Sequence, residues 1–400
     1  MFHFLSLLLF LFSSCLTSKS KQANRYVVVL SMDGFRSDYP ERANTPTLDS
    51  LASVGVRSAF RPCFPSVTFP NHYSMATGLH PDHHGLINNF FYASDLDSIY
   101  RLGNDEAVLN PNFYGGEPIW NTAEKQGVRT ASFFWVGSET AVQGGQPSTW
   151  KKFDKMVSFI DRADSVIAWL QLPKEDRPHL VMWYIEEPDA IGHRCTPDSS
   201  ATLQKVEELD GVLNHFFTEA RKLDIFNQID FIVLSDHGMA TYLPENLVNL
   251  NDYLPRDSFD YIFDGVPTLL YPKASYTDSA YAILQRVPRV TAWKKNEIPE
   301  KYVYGSNPRI GDLVVMPDVG TYIQFRPVSS SSLHNGGTHG YDNFAPEMEA
   351  IFYAAGPSFK RQATVPVMAN VNLYLLIARL LNLTPAPNDG DNKAVKQLLR

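Results

Sequence analysis

The chain has 400 residues, 44% of them hydrophobic and 20% charged, and a net charge of −8. That length can bury a large core in one or two domains, and the composition excludes disordered and fibrous classes. No run of Lys or Arg stands out, which argues against binding polymeric nucleic acid through a basic surface; a small anionic substrate stays compatible where bound cations supply charge locally.

Phe4 to Phe12 is an apolar run too short to span a bilayer, followed by Ser13-Ser14-Cys15. Residues 1–20 read as an export signal. The small residues before Cys15 fit bacterial lipoprotein processing, which would leave a lipid anchor on Cys15 as the route to a membrane. Ordinary cleavage before Lys21 fits as well. Either way the mature protein is expected outside the cytoplasm, periplasmic or extracellular, with residues 24–400 as one domain. Cys63 and Cys195 then remain, too few for a disulfide framework, and whether they pair stays open at this stage.

Val27-Val28-Val29-Leu30 is a continuous apolar run of the kind found in strands buried on both faces. It ends in Ser31-Met32-Asp33-Gly34. Asn44-Thr45-Pro46 opens a helix carrying Leu48, Leu51 and Ala52 and stopped by Gly55. Thr68 stands just before a helical segment with Asn71, Tyr73, Met75 and Ala76 that ends at Gly78. A hydroxyl there is ordinarily a cap, although a helix start also favours anions. Residues 92–115 look irregular. A helix is expected over Glu117–Gln126, a strand over Thr130–Trp135, a helix over Asp161–Leu172 and a buried strand over Leu180–Ile185, leading to Glu186-Glu187-Pro188-Asp189. Ser199–Leu223 is the clearest helix, with Leu203, Val206, Leu209, Leu213, Phe216 and Phe217 on one face. Ile229–Leu234 is another buried strand and ends in Ser235-Asp236-His237-Gly238. Residues 241–325 are mixed and read as an inserted lid or cap. Ser329–Thr338 is rich in Ser and Gly, and Ala350–Tyr353 and Ala369–Leu381 should supply a last core strand and helix. The alternation predicts an α/β fold with a doubly wound, mostly parallel sheet flanked by helices.

Three buried strands thus run into Asp33, Asp189 and Asp236. In an open α/β sheet, ligands bind beyond the carboxyl ends of the strands, so the three carboxylates should share one edge. A lone strand-end aspartate is usually a turn residue. Here His193 follows Asp189 by four residues, His237 adjoins Asp236, and Thr338-His339-Gly340-Tyr341-Asp342 adds another imidazole. Three aspartates with three histidines make a mixed oxygen and nitrogen set suited to zinc. Two metals side by side are the usual arrangement for phosphoryl transfer, whereas a metal-free glycosidase pair would have no use for the histidines.

The motifs Ser31-Met32-Asp33-Gly34-Phe35-Arg36, Thr68-Phe69-Pro70-Asn71-His72, His84 through Asn89, Trp135-Val136-Gly137-Ser138-Glu139, Glu187 through His193, Ser235 through Met239 and His339 through Asn343 resemble the nucleotide pyrophosphatase/phosphodiesterase family. The tail Leu380 through Gly390 is similar too, and the match runs in order over residues 25–400. The resemblance implies an alkaline phosphatase-like core with two Zn2+ ions. It implies Thr68 as the nucleophile forming a phosphothreonine intermediate, with Thr68, Asp33, Asp236 and His237 on one zinc and Asp189, His193 and His339 on the other. It further implies that Asn89 holds a phosphate oxygen, beside a backbone amide near Thr68, and that Phe69 packs on a nucleobase. Trp150 and Phe153 both lie where nucleotide-cleaving members place a base-stacking tyrosine, and Trp150 is taken here as the substrate contact. The implied activity is release of nucleoside monophosphates from nucleotide phosphodiester or pyrophosphate bonds, the alternative being a choline-lipid headgroup phosphodiesterase. No arginine accompanies Thr68, which favours diesters over doubly charged monoesters. Arg194-Cys195-Thr196-Pro197 replaces the family's usual Gly-Pro, which leaves leaving-group specificity open. A sulfatase would need a modified Cys or Ser followed by Pro and Arg at the nucleophile, and a non-catalytic module would have lost a ligand; neither holds.

Overall fold

Every residue of β1 (Tyr26–Met32) is buried. Val28 and Leu30 pack into one apolar cluster while Val27 and Val29 pack into another, so covered faces on both sides account for a run with no polar alternation. A computed structural model describes residues 25–326 and 335–400. The expected export signal with Cys15, and part of the Ser/Gly-rich segment, lie outside the described residues. Among the described residues no helix is long and apolar enough to cross a membrane.

The sheet also holds β2 (Val56–Arg61), β3 (Thr130–Phe133), β4 (Thr149–Lys151), β5 (Leu180–Ile185), β6 (Ile229–Leu234), β7 (Ala350–Ala355) and the short β8 (Ala363–Thr364) and β9 (Met368–Ala369). Their order is β8-β2-β7-β6-β1-β5-β3-β4, with β9 also on β2. β1 pairs in parallel with β5 and β6, and β3 with β4 and β5. β7 runs antiparallel to both β2 and β6, so the sheet is mostly parallel, as expected, with one reversed strand. Helices α1 (Pro46–Val54), α5 (Phe159–Leu170) and α7 (Ser200–Ala220) cover one face. Helices α2 (Thr68–Thr77), α4 (Ile119–Lys125) and α8 (Asn372–Leu380) cover the other. The start of α1 has no side-chain cap from Thr45; instead Asp210 of α7 accepts from the Thr47 and Leu48 amides, satisfying donors that a helix start leaves open.

Two expectations change. The stretch read as irregular over 92–115 overlaps a hairpin, Phe90–Ala93 with Ser98–Arg101, and holds a short helix, Asp105–Val108. Thr68 is the first residue of its helix rather than the residue before it. Within 241–325, the strands Phe259–Phe263, Thr268–Pro272, Val290–Lys294 and Leu313–Pro317 form a separate antiparallel sheet over its own apolar cluster. Arg309 ties this region to the hairpin side: its guanidinium donates to Asp95 and to the carbonyls of Gly85, Asn112 and Phe113. Asp82 in turn accepts from the amides of Gly305, Ser306 and Asn307. These bonds tie the second sheet's region to the segments that follow α2.

Candidate active site

Asp33 directly follows β1, and its amide donates to Ile185 O at 2.8 Å. Asp236 and His237 follow β6. Asp189 and His193 stand one turn apart on α6, here the short helix Asp189–Cys195, so a spacing of four puts both on one face. The Asp189 amide donates to Asp33 O at 3.0 Å. This packing requires Gly34, whose φ is +66° and where a Cβ would sit 2.8 Å from Asp189 Cβ. His339 arrives from the strand Gly336–Thr338, which pairs with Ala240–Tyr242 just after His237.

The predicted ligands converge. His193 Nε2 lies 3.3 Å from Asp189 Oδ2, and His339 Nε2 lies 3.6 Å from Asp189 Oδ1. His237 Nε2 is 3.2 Å from Asp236 and 3.6 Å from Asp33. Each imidazole is oriented through its other nitrogen: Nδ1 of His193, His237 and His339 donates to the carbonyls of Gly337, Gly238 and Ser66. That assignment aims every Nε2 inward, the orientation that metal-binding histidines require. One oxygen each of Asp33, Asp189 and Asp236 is buried with no hydrogen-bond partner. Orphaned carboxylate oxygens beside inward-facing ring nitrogens are what a cation would satisfy, so the residues present fit zinc. His72 also lies near Asp33 and Asp236, but Nε2 meets Ser31 Oγ and Nδ1 meets Thr68 O. Both its nitrogens are used, and it holds the start of α2 in place. The sequence reading had left His72 unassigned; its position four residues after Thr68 on the same helix was the available signal.

Charge follows geometry. Burial, with Asp236 and Asp189 close by, pushes the Asp33 carboxyl well above its ordinary value. Burial acts the same way on Asp189, but His193 and His339 outweigh it and hold the group down at about 2. Burial lowers His193, yet the Asp189 carboxylate lifts it to about 9. His339 is pushed down to about 3, first by burial and then by His237. Three carboxylates in one buried space repel each other unless positive charge enters.

Thr68 opens α2, following Val67 at the cap position. Its Oγ1 lies 3.2 Å from His237 Nε2, so the hydroxyl faces the ligand cluster instead of its own helix. Asn89 Oδ1 accepts from the Phe69 amide at 3.0 Å; that backbone donor is therefore taken, and the Asn89 amide group lies on a cleft of about 290 Å³ shared with Thr68, Asp189, His193 and His339. A second cleft, about 210 Å³, adjoins it and is lined by Phe69, Phe134, Phe153 and Tyr184 with Asp105, Glu139 and Lys152 at its polar positions. Tyr184 donates to Asp33 at 2.6 Å and so ties the second cleft to the ligand cluster. Phe153, and not Trp150, lies on this second cleft, because its amide is held by Glu139 Oε1 at 2.7 Å while Trp150 stands on the edge strand β4, 39% exposed. Cys63 and Cys195 are unpaired, and the Cys63 thiol lies 3.0 Å from Asn370 Oδ1. Arg194 pairs with Glu187 at 3.6 Å.

Residues 27–342 match the family model for type I phosphodiesterase/nucleotide pyrophosphatase. Over 94% of its length the chain is 33% identical to ectonucleotide pyrophosphatase/phosphodiesterase family member 3 of Mus musculus and 34% identical to venom phosphodiesterase CdcPDE of Crotalus durissus collilineatus. It covers 44% and 46% of those proteins, so it spans about half the length of the curated relatives it matches. Among solved structures, murine ectonucleotide pyrophosphatase/phosphodiesterase 5 superposes with a TM-score of 0.89 at 32% identity, covering 94% of this chain and all of that one. An inactive threonine-to-alanine variant of that murine protein, in complex with AMP, superposes equally well at 31% identity, with the same coverage of both chains.

Proposed function

The chain belongs to the type I phosphodiesterase/nucleotide pyrophosphatase family, and from that premise we propose that it is a two-zinc phosphodiesterase acting on nucleotides outside the cytoplasm. Asp33, Asp236 and His237, with the Thr68 oxygen, would hold one ion, and Asp189, His193 and His339 the other. Zinc bound there would lower the pKa of the Thr68 hydroxyl and offset charge on the phosphoryl oxygens. Thr68 Oγ1, freed of its proton, attacks phosphorus as the bond to the leaving oxygen breaks, giving a phosphothreonine ester that still carries the nucleoside. Water then attacks the same phosphorus, the bond to Thr68 breaks, and nucleoside monophosphate leaves. The Asn89 amide donates to a non-bridging oxygen, and its Oδ1 bond to the Phe69 amide fixes it before the reaction, so no reorganisation is needed as charge develops.

The observation that carries this reading is the Thr68 hydroxyl at the first turn of α2, 3.2 Å from His237 Nε2 in the ligand cluster. Phe69 and Phe153 on one cleft support base stacking, and the polar groups Asp105, Glu139 and Lys152 there suit a heterocycle better than the acyl chain of a choline lipid. The relatives named as ectoenzymes and venom enzymes support an exported protein; an anchor at Cys15 remains the proposed route to a membrane. The test compares a nitrophenyl nucleotide ester, a phosphate monoester and lysophosphatidylcholine, with and without chelator, in the wild type and Thr68→Ala. Zinc-dependent, Thr68-dependent cleavage of the nucleotide diester is expected. Preference for the monoester or for the lipid would overturn the assignment.

A further inference from the structure

One further group of metal-ligating side chains converges among the described residues, at the opposite end of the helix that begins with Thr68. Helix α2 stops at Gly78, which adopts φ +69°. The chain then passes through His80 into the single turn Pro81–His84. His80 and His83, three residues apart, lie on the same side of that turn with ring centroids 6.0 Å apart. The C-terminal tail brings Asp389 against them. Its amide donates to Gly78 O at 2.7 Å, and the His80 amide donates to Asp389 Oδ2 at 2.8 Å. The backbones carrying the three side chains are therefore already fixed to each other.

We propose that His80 Nδ1, His83 Nδ1 and an Asp389 carboxylate oxygen form a third metal site, separate from the catalytic cluster, for a divalent transition ion such as Zn2+. The two Nδ1 atoms lie 2.9 and 2.7 Å from the same oxygen, Asp389 Oδ2, and all three donor atoms fall within 4.8 Å of one another. Two imidazoles and a carboxylate match zinc in softness, and Ca2+ or Mg2+ would call for an all-oxygen set. A tetrahedral ion with ligands at ~2.1 Å needs the donors to move apart to roughly 3.4 Å. Side chains that are 20%, 43% and 24% exposed can make that adjustment and leave a fourth position to water. Uptake requires each Nδ1 to carry no hydrogen, the remaining one sitting on Nε2. Filled, the site would clip the tail to the far end of the helix that presents Thr68.

The test uses full-length enzyme loaded with Zn2+, freed of excess, and then titrated with Zn2+ alone by calorimetry, with metal content read by mass spectrometry. His83 is exposed, so His83→Gln should fold normally, and a second variant, His80→Gln, removes the other imidazole. The wild type is expected to take up one more ion per chain than either variant. Affinity at that site should fall by more than about 100-fold in the variants, the upper range for loss of a merely supporting partner. Excess Zn2+ should raise the Tm of the wild type and not of the variants, with hydrolysis of a nucleotide ester unchanged. Equal ion uptake and equal Tm response in wild type and variants would overturn the proposal.

Discussion

The candidate metal-ligand cluster and the aromatic cleft beside it are built in opposite ways. Asp33, Asp236 and His237 are 0–2% exposed, sit at the ends of the central parallel strands, and are oriented by backbone hydrogen bonds. Phe153 is 45% exposed and follows the three-residue edge strand β4, fixed by one bond from its amide to Glu139. The first region is positioned by the core and can shift only if the sheet does. The second depends in part on Phe153, which the core does not constrain. Chemistry should therefore be sensitive to single-atom changes in the first, while substitutions in the second should alter binding.

Removing the attacking oxygen tests that contrast most severely. Thr68→Ala should lower kcat on a nucleotide diester by about 10⁴-fold or more, measured in steady state on protein shown to keep its zinc. Next in size, His339→Ala should cost about 10³-fold and a bound ion, because it leaves Asp189 Oδ1 without its imidazole neighbour. Chelation of the wild type should mimic it, with Zn2+ restoring activity. Asn89→Ala should reduce kcat by roughly 10²–10³-fold with little change in KM, the pattern for a donor acting on transition-state charge. The smallest effects belong to the cleft. Phe153→Ala should raise KM for a nucleotide about tenfold with kcat held within about twofold, the scale of one lost stacking partner, while Trp150→Ala should leave both within about twofold. An equal KM effect from Trp150→Ala would erase the distinction between the two aromatics.

The cluster was legible in the sequence for a physical reason. Runs such as Val27–Leu30 and Ile229–Leu234 are buried on both faces and cannot be confused with half-exposed strands, so the aspartates at their ends could be placed on one edge. The four-residue spacing of Asp189 and His193 likewise has one helical meaning. β2 is hard to read in the sequence because one of its buried positions, Ser58, breaks the apolar alternation, and the strand follows a helix directly. Nor was the reversed direction of β7 readable, since Ala350–Ala355 is buried throughout and its orientation depends on pairing with β2 and β6. Trp150 and Phe153 lie three residues apart in sequence, and the Glu139 contact that holds Phe153 on the cleft spans 14 residues. Similarly, the Asp82 and Arg309 bonds that hold the inserted sheet join segments more than 190 residues apart, beyond any local pattern.

The central claim is that Thr68 attacks phosphorus and carries the nucleotide before water does. Two successive in-line displacements return phosphorus to its original configuration, whereas a single attack by water inverts it. Hydrolysis of a nucleotide phosphorothioate diester of known configuration in isotopically labelled water, with the product's stereochemistry read by phosphorus NMR, separates the two directly. Net retention in the wild type is the predicted result. Net inversion would remove Thr68 from the role of nucleophile.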